Sequence, residues 1–170
     1  EMTDGVLGFG APMFIPIPDS GRWYHEAIPL DIDGDGDMDF VTTNHNMTVF
    51  EEGTGLVEWY ENNGVPGEVS LTRHEIAEGG GALLALHDVD GDGDQDVILP
   101  QFFEGESLVW MEQTGVDTPW VRHVINDNTG RGFGAEMADM NGDGRLDLVY
   151  GNHNHQMSTV ADEKVMGIYW

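Results

Sequence analysis

Residues 31–39 read DIDGDGDMD, residues 88–96 read DVDGDGDQD and residues 139–147 read DMNGDGRLD. Each stretch sets an acidic or amide side chain at its first, third, fifth and ninth positions, with glycine at the fourth and sixth. The candidate metal ligands are Asp31, Asp33, Asp35 and Asp39; Asp88, Asp90, Asp92 and Asp96; and Asp139, Asn141, Asp143 and Asp147. The seventh residue of each stretch, Asp37, Asp94 or Arg145, is placed to offer its backbone carbonyl, a role that does not depend on side-chain charge. Oxygens on alternate residues of a tight glycine-bearing loop converge on one point, and Ca2+ takes six to eight oxygens at about 2.3–2.6 Å. Without a cation, four carboxylates in so small a loop would repel one another. The spacing predicts about three Ca2+ per chain, held for structure rather than catalysis, because the loop itself fills the coordination positions. The third loop, with Asn141 and Arg145, carries less negative charge than the others.

These loops are not EF-hands, which need a bidentate Glu at the twelfth position and flanking helices. Here that position holds Thr42, Leu99 and Tyr150. Short β-type runs follow each loop (Phe40-Val41-Thr42, Val97-Ile98-Leu99, Leu148-Val149-Tyr150), and short apolar runs precede it. The loop therefore joins two strands, and a bound cation pins the hairpin.

The loops begin at Asp31, Asp88 and Asp139, at intervals of 57 and 51 residues. A period on this scale indicates an array of blades or solenoid turns. Four extended segments recur in each unit. The first covers 12–18, 70–76 and 120–126, with prolines in the first copy that suit an edge strand. The second leads into the loop (24–30, 82–87, 133–138), and the third leaves it (38–43, 95–100, 146–151). The fourth is built around a tryptophan: LVEWYE at 56–61, SLVWME at 107–112 and VMGIYW at 165–170. Four short strands per unit of about 50 residues is the pattern of a β-propeller blade.

DVDGDGDQDVI and its two sister copies resemble the FG-GAP/VCBS repeats of integrin-α-like propellers. The resemblance implies an all-β fold of three four-stranded blades in one repeat domain over 1–170, with units of approximately 12–64, 65–115 and 116–170. It also implies that the strand ending at Asp31, Asp88 or Asp139 is the innermost of its blade. In that frame the last blade lacks its own outer strand. Three blades do not close a ring, since propellers have four to eight. A larger ring, an assembly of copies, or an N-terminal strand that completes another chain's last blade would each resolve this. The first two are favoured over an open monomer, which leaves sheet edges and blade faces exposed.

Composition narrows the function. Thirty-two acidic against six basic residues give a formal charge of −26, and even three divalent cations leave most of it in place. That argues against nucleic acid and anionic membrane surfaces as partners and against insertion into a membrane. A hydrophobic content of 39% with five tryptophans argues for a packed core. There is no cysteine, so metal ions rather than disulfides are the expected staples. Weak structural calcium sites fit the millimolar calcium of an extracellular, secreted, periplasmic or cell-surface setting. No apolar run approaches the roughly 20 residues of a membrane span, and no signal peptide is visible.

A second group of residues follows the third segment: Asn44-His45-Asn46 in copy one and Asn152-His153-Asn154-His155 in copy three, with Gln101-Phe102-Phe103 in copy two. His45, Asn46, His153 and His155 are candidates for a sugar or metal pocket, since imidazoles among amides suit either. The alternative is loop residues that hydrogen-bond the backbone. His74 and His123 lie in the repeated R-H-x-I run, which points to a repeated structural contact, and His87 abuts a loop. Trp59, Trp110 and Trp170 share one blade position, as blade-to-blade packing requires. Trp23, Tyr24 and Trp120 are less regular and suit sugar stacking. Asn46-Met47-Thr48 is a glycosylation sequon. No nucleophile elbow, phosphate loop or hydrolase triad is visible. The expected function is a calcium-binding extracellular propeller module that serves glycan or protein binding, adhesion or assembly. The alternative is the propeller portion of a secreted carbohydrate-active enzyme of lyase or dehydratase type, with chemistry at a pocket joining His45, His153 and His155.

Overall fold

The computed structural model describes residues 2–3, 6–7, 14, 21–46, 55–65, 68–80, 83–102, 107–153 and 167–170. Among them are thirteen strands and no helix: β1 (Met2–Thr3), β2 (Val6–Leu7), β3 (Arg22–Leu30), β4 (Asp39–Asn46), β5 (Gly55–Asn62), β6 (Leu71–Glu78), β7 (Ala85–His87), β8 (Asp96–Pro100), β9 (Leu108–Glu112), β10 (Val121–Asn126), β11 (Arg131–Ala138), β12 (Asp147–His153) and β13 (Ile168–Tyr169). Apart from a β1-β2 ribbon, they form three antiparallel meanders. Blade 1 is β3-β4-β5-β6, blade 2 is β7-β8-β9-β10 and blade 3 is β11-β12-β13.

The blade frame is the one the sequence predicts. The loop-preceding strand lies at one edge, and the R-H-x-I run of the next unit supplies the outer strand. Trp59 pairs with His74 and Trp110 with His123 across those outer ladders. Each sheet therefore spans two sequence units. The expected first segment at 12–18 lies outside the described residues except for Phe14, which is in no strand. The first strand of blade 2 is shorter than expected, beginning at Ala85. Strand β8 stops at Pro100, which has no amide hydrogen to carry the ladder onward.

Alternation along the strands gives each blade two faces, and the blades stack in one direction. The tryptophan-bearing face of blade 1 (Ile28, Val41, Val57, Trp59) packs on the opposite face of blade 2 (Leu86, Val97, Leu99, Val109). The tryptophan-bearing face of blade 2 (Ala85, Ile98, Leu108, Trp110) packs in turn on blade 3 (Ala135, Met137, Leu148, Tyr150). Val41, Val57, Val97, Leu99 and Val109 are wholly buried, each contributing about 1.5–3 kcal/mol. The inner edges also touch. The Leu84 amide donates to Glu26 Oε2 at 2.9 Å, and the Leu83 amide donates to the Phe133 carbonyl at 2.9 Å.

Candidate metal centre

Each acidic stretch is the hairpin loop between the first two strands of its blade, closed by the pairs Leu30–Asp39, His87–Asp96 and Ala138–Asp147. Both glycines of every loop are left-handed: φ is +74° and +97° at Gly34 and Gly36, +82° and +102° at Gly91 and Gly93, and +78° and +85° at Gly142 and Gly144. A Cβ at these positions would meet nothing within 4 Å, so backbone conformation rather than crowding calls for glycine.

The same hydrogen bonds recur in all three loops. The first-position carboxylate accepts the amide of the sixth residue, at 3.1 Å in Asp31–Gly36, 3.1 Å in Asp88–Gly93 and 2.9 Å in Asp139–Gly144. The third-position oxygen accepts the fifth amide, and the fifth-position carboxylate accepts the seventh. The ninth-position carboxylate accepts the second amide, from Ile32, Val89 or Met140. Local amides thus curl the chain into a cup.

In loops 1 and 2 the cup closes to metal-binding dimensions. One carboxylate oxygen each from Asp31, Asp33 and Asp39 lies within 4.8 Å of the others, and so do those of Asp88, Asp90 and Asp96. Two oxygens on one Ca2+ at about 2.3–2.6 Å cannot be farther apart than about 5 Å, so both triads fit. Asp31 Oδ1 is buried and has no hydrogen-bond donor, a costly state for a carboxylate oxygen unless a cation satisfies it. Burial, with the charges of Asp35, Asp39 and Glu61, pushes the Asp33 carboxyl above its ordinary range. Burial pushes Asp96 up as well, against the pull of the amides that donate to it.

Compared with protein families, the chain matches the FG-GAP-like repeat over residues 31–99 and again over 88–150. It belongs to the FG-GAP-like repeat family. No curated protein and no solved structure matches the chain.

The third FG-GAP-like loop differs from the other two. Both oxygens of Asp139 accept amides, as those of Asp88 do, but with one donor more: Oδ1 from Gly142 at 2.7 Å and Asp143 at 3.1 Å, and Oδ2 from Gly144. These donors hold its carboxyl below the usual range. Arg145 contributes its side chain as well as its backbone: the guanidinium donates to Asp143 Oδ2 at 3.0 Å and draws that carboxyl down. An internal cation therefore already sits against the fifth-position carboxylate of this loop.

The ninth-position residues do more than face the cup. Asp39 and Asp96 are 2% and 0% exposed. Asp39 accepts the Asn62 amide at 2.7 Å and the Trp59 indole N–H at 3.2 Å; Asp96 accepts the Gln113 amide at 2.9 Å. Each thus ties its loop to the end of the tryptophan strand. The available sequence signal was an amide residue three places after the repeated tryptophan, in WYEN and WMEQ.

The histidines and amides take other places. His74 stacks on Trp59 and bonds Glu61 at 2.7 Å, while His123 stacks on Trp110 and bonds Glu112 at 2.6 Å. His87 reaches across to Glu136 of blade 3 at 3.0 Å, which makes it an inter-blade contact. His45 is buried, stacked on His25 at 4.7 Å and edge-on to Trp23 at 5.3 Å. His25 occupies the bulge between Tyr24 and Glu26, which turns its ring toward His45. Asn46 pairs with Arg22, and His153 with Arg131, at the strand ends. His155, Met47 and Thr48 lie outside the described residues, as does Phe103. Asn44, Gln101 and Asn152 serve the local structure: Asn44 bonds Glu58, Gln101 accepts the Gly80 amide, and Asn152 accepts the Gly167 amide.

Among the described residues, cavities open on both end blades. One of about 350 Å³ lies on blade 1 beside Tyr24, His25, Phe40 and Tyr60. One of about 600 Å³ lies on blade 3 beside Phe133, Val149 and Ile168 and reaches Leu84 and Glu26. Neither is lined by His45 or Asn46.

Proposed function

We propose that this FG-GAP-like chain is a calcium-stabilised propeller module of an extracellular protein, with structural Ca2+ in loops 1 and 2 and a weaker site in loop 3. The observation that carries the reading is the pair of convergent carboxylate triads, together with the unpartnered buried oxygen of Asp31. Millimolar calcium outside cells would keep such sites loaded. The absence of cysteine leaves metal as the available cross-link, and among the described residues no helix is long and apolar enough to cross a membrane. Native mass spectrometry and thermal melts, with calcium and with chelator, test this directly. Two tightly held ions and a melting point that falls in chelator are expected. An unchanged melt with no bound ion refutes the reading.

The partner we propose is another blade. In blades 1 and 2 the tryptophan-bearing face is covered by the next blade. In blade 3 the same positions carry Ile168 at 81% and Trp170 at 73% exposure, where Trp59 is 4% exposed. That face suits the opposite face of a further FG-GAP-like blade, in a larger ring or in a second copy. Introducing a charge with Trp170→Glu is expected to abolish self-association in native mass spectra without lowering the melting point. Self-association that survives the substitution rules this surface out.

A further inference from the structure

We propose that the calcium sites of loops 1 and 2 are thermodynamically coupled through Gln113, so that loading either loop raises the affinity of the other. The inference rests on the calcium reading above and adds the path between the sites.

Three hydrogen bonds join the two triads. Asp39 of the first accepts the Ile32 amide at 3.2 Å. The Ile32 carbonyl accepts the Gln113 side-chain Nε2–H at 3.1 Å, across the boundary between blades. The Gln113 backbone amide donates to Asp96 of the second triad at 2.9 Å. Asp39, Ile32, Gln113 and Asp96 are all buried. A buried backbone carbonyl has no water to turn to, so Ile32 keeps its partner only while loop 1 holds its closed shape. Without a cation, the loop 1 carboxylates repel one another and favour a more open cup. Opening displaces Ile32, releases the Gln113 side chain and loosens the strand end whose amide positions Asp96. A cation in loop 1 reverses each step, and the second ion meets a site that is already ordered. Linkage requires the reverse effect to have the same size.

The path is particular to this pair. Asn62 stands at the equivalent place in blade 1, yet its side-chain oxygen turns back to the Gly64 and Ser70 amides of its own turn.

Calcium titration of the full chain tests the coupling, with loop 3 silenced by Asp139→Asn throughout. Disabling loop 1 with Asp31→Asn and Asp33→Asn is expected to weaken binding at loop 2 by about fivefold or more. Disabling loop 2 with Asp88→Asn and Asp90→Asn should weaken loop 1 by the same factor. Gln113→Asn keeps the backbone amide but shortens the side chain beyond reach of Ile32. In that background both factors should fall below about twofold. Gln113→Met is a second variant of similar length, and circular dichroism melts confirm that each chain folds. Two bound ions whose affinities ignore each other overturn the coupling and leave the calcium reading intact. Factors that persist unchanged in both Gln113 variants overturn the assigned path. No calcium binding to the unaltered chain overturns coupling and reading together.

Discussion

The sharpest test separates two duties of the loop carboxylates by comparing Asp39→Ala with Asp31→Asn. Asp39 is buried and accepts three donors: the Ile32 amide, the Asn62 amide and the Trp59 indole. Hydrogen bonds to a charged acceptor are worth about 1.5–3 kcal/mol each, and alanine leaves all three donors unmet. Water entering the vacated space recovers part of that, so the expected loss is about 3–6 kcal/mol in chelator, with the calcium-binding linkage lost in addition when calcium is present. Against a total stability of about 5–15 kcal/mol, this is close to unfolding. Asp31 keeps its one bonded amide, from Gly36, when replaced by the isosteric Asn. In chelator that change should be near neutral or slightly stabilising, because it removes one of several like charges. In calcium at about a hundred times the dissociation constant, it forfeits roughly 2.7 kcal/mol of binding linkage. Urea melts of both variants, in saturating calcium and in chelator, read the four numbers. If Asp39→Ala in chelator is no worse than Asp31→Asn, the ninth carboxylate is only a metal ligand and its role in joining loop to strand is refuted.

Replacing Arg145 with Asp removes the guanidinium from Asp143 and gives loop 3 the charge of its sisters; native mass spectrometry should then show one further tightly held calcium, and an unchanged count refutes the internal-cation account. Gly91→Ala should cost about 1–2 kcal/mol by urea melt, since φ is +82° with nothing for the methyl to strike; a neutral result means the loop can relax out of that conformation. Burial pushes His25 and His45 below their ordinary values, and His25 and Arg22 push His45 further down. The folded state there binds fewer protons than the unfolded chain, so this contribution is fully present above about pH 6.5 and lost as pH falls towards the folded values. The stability advantage of the unaltered chain over a His25→Gln/His45→Gln variant should therefore narrow between about pH 7.5 and about pH 5.5 in chelator melts; a widening gap contradicts the neutral stacked pair.

What could be read from the sequence was whatever repeats locally. Loop spacing, glycine positions and the tryptophan segment recur within a few residues of one another, and together they set the blade frame and the strand that each loop follows. What could not be read depends on how blades stack. The Gln113–Ile32 bond spans 81 residues, and no local pattern distinguishes a side chain that crosses to the next blade from one, like Asn62, that folds back. The Trp59 indole bond to Asp39 was hidden because the tryptophan already had a sufficient reason to recur, as inter-blade packing. The histidines show the opposite effect. His45 and His153 share a register position, yet His45 is buried against His25, a residue that the strand bulge brings to it. A bulge adds one residue to a strand and leaves no strong mark in composition.

The stack is also polar in direction, which limits how chains of this kind can associate. Blade 2 presents Leu99 and Val109 to blade 1, and blade 3 presents Tyr150 and Tyr169 to blade 2. At the same two positions blade 1 carries Thr42 and Glu58. Glu58 is wholly buried and held by Arg73, by Asn44 at 2.7 Å and by the Tyr60 hydroxyl at 3.5 Å. Such a bonded charge is costly to strip and gains little from an apolar cover. The other end of the stack, with Ile168 and Trp170, is apolar and open. The two ends are unlike, so a head-to-tail contact between copies would lay the apolar end over Glu58. A head-to-tail contact is heterologous: it closes into a ring where the rotation per copy allows and otherwise runs on as a filament. The face of Ile168 and Trp170 is better matched by a blade whose facing positions are apolar, as those of blades 2 and 3 are, and the number of blades in any ring is set by the rotation between blades 1, 2 and 3.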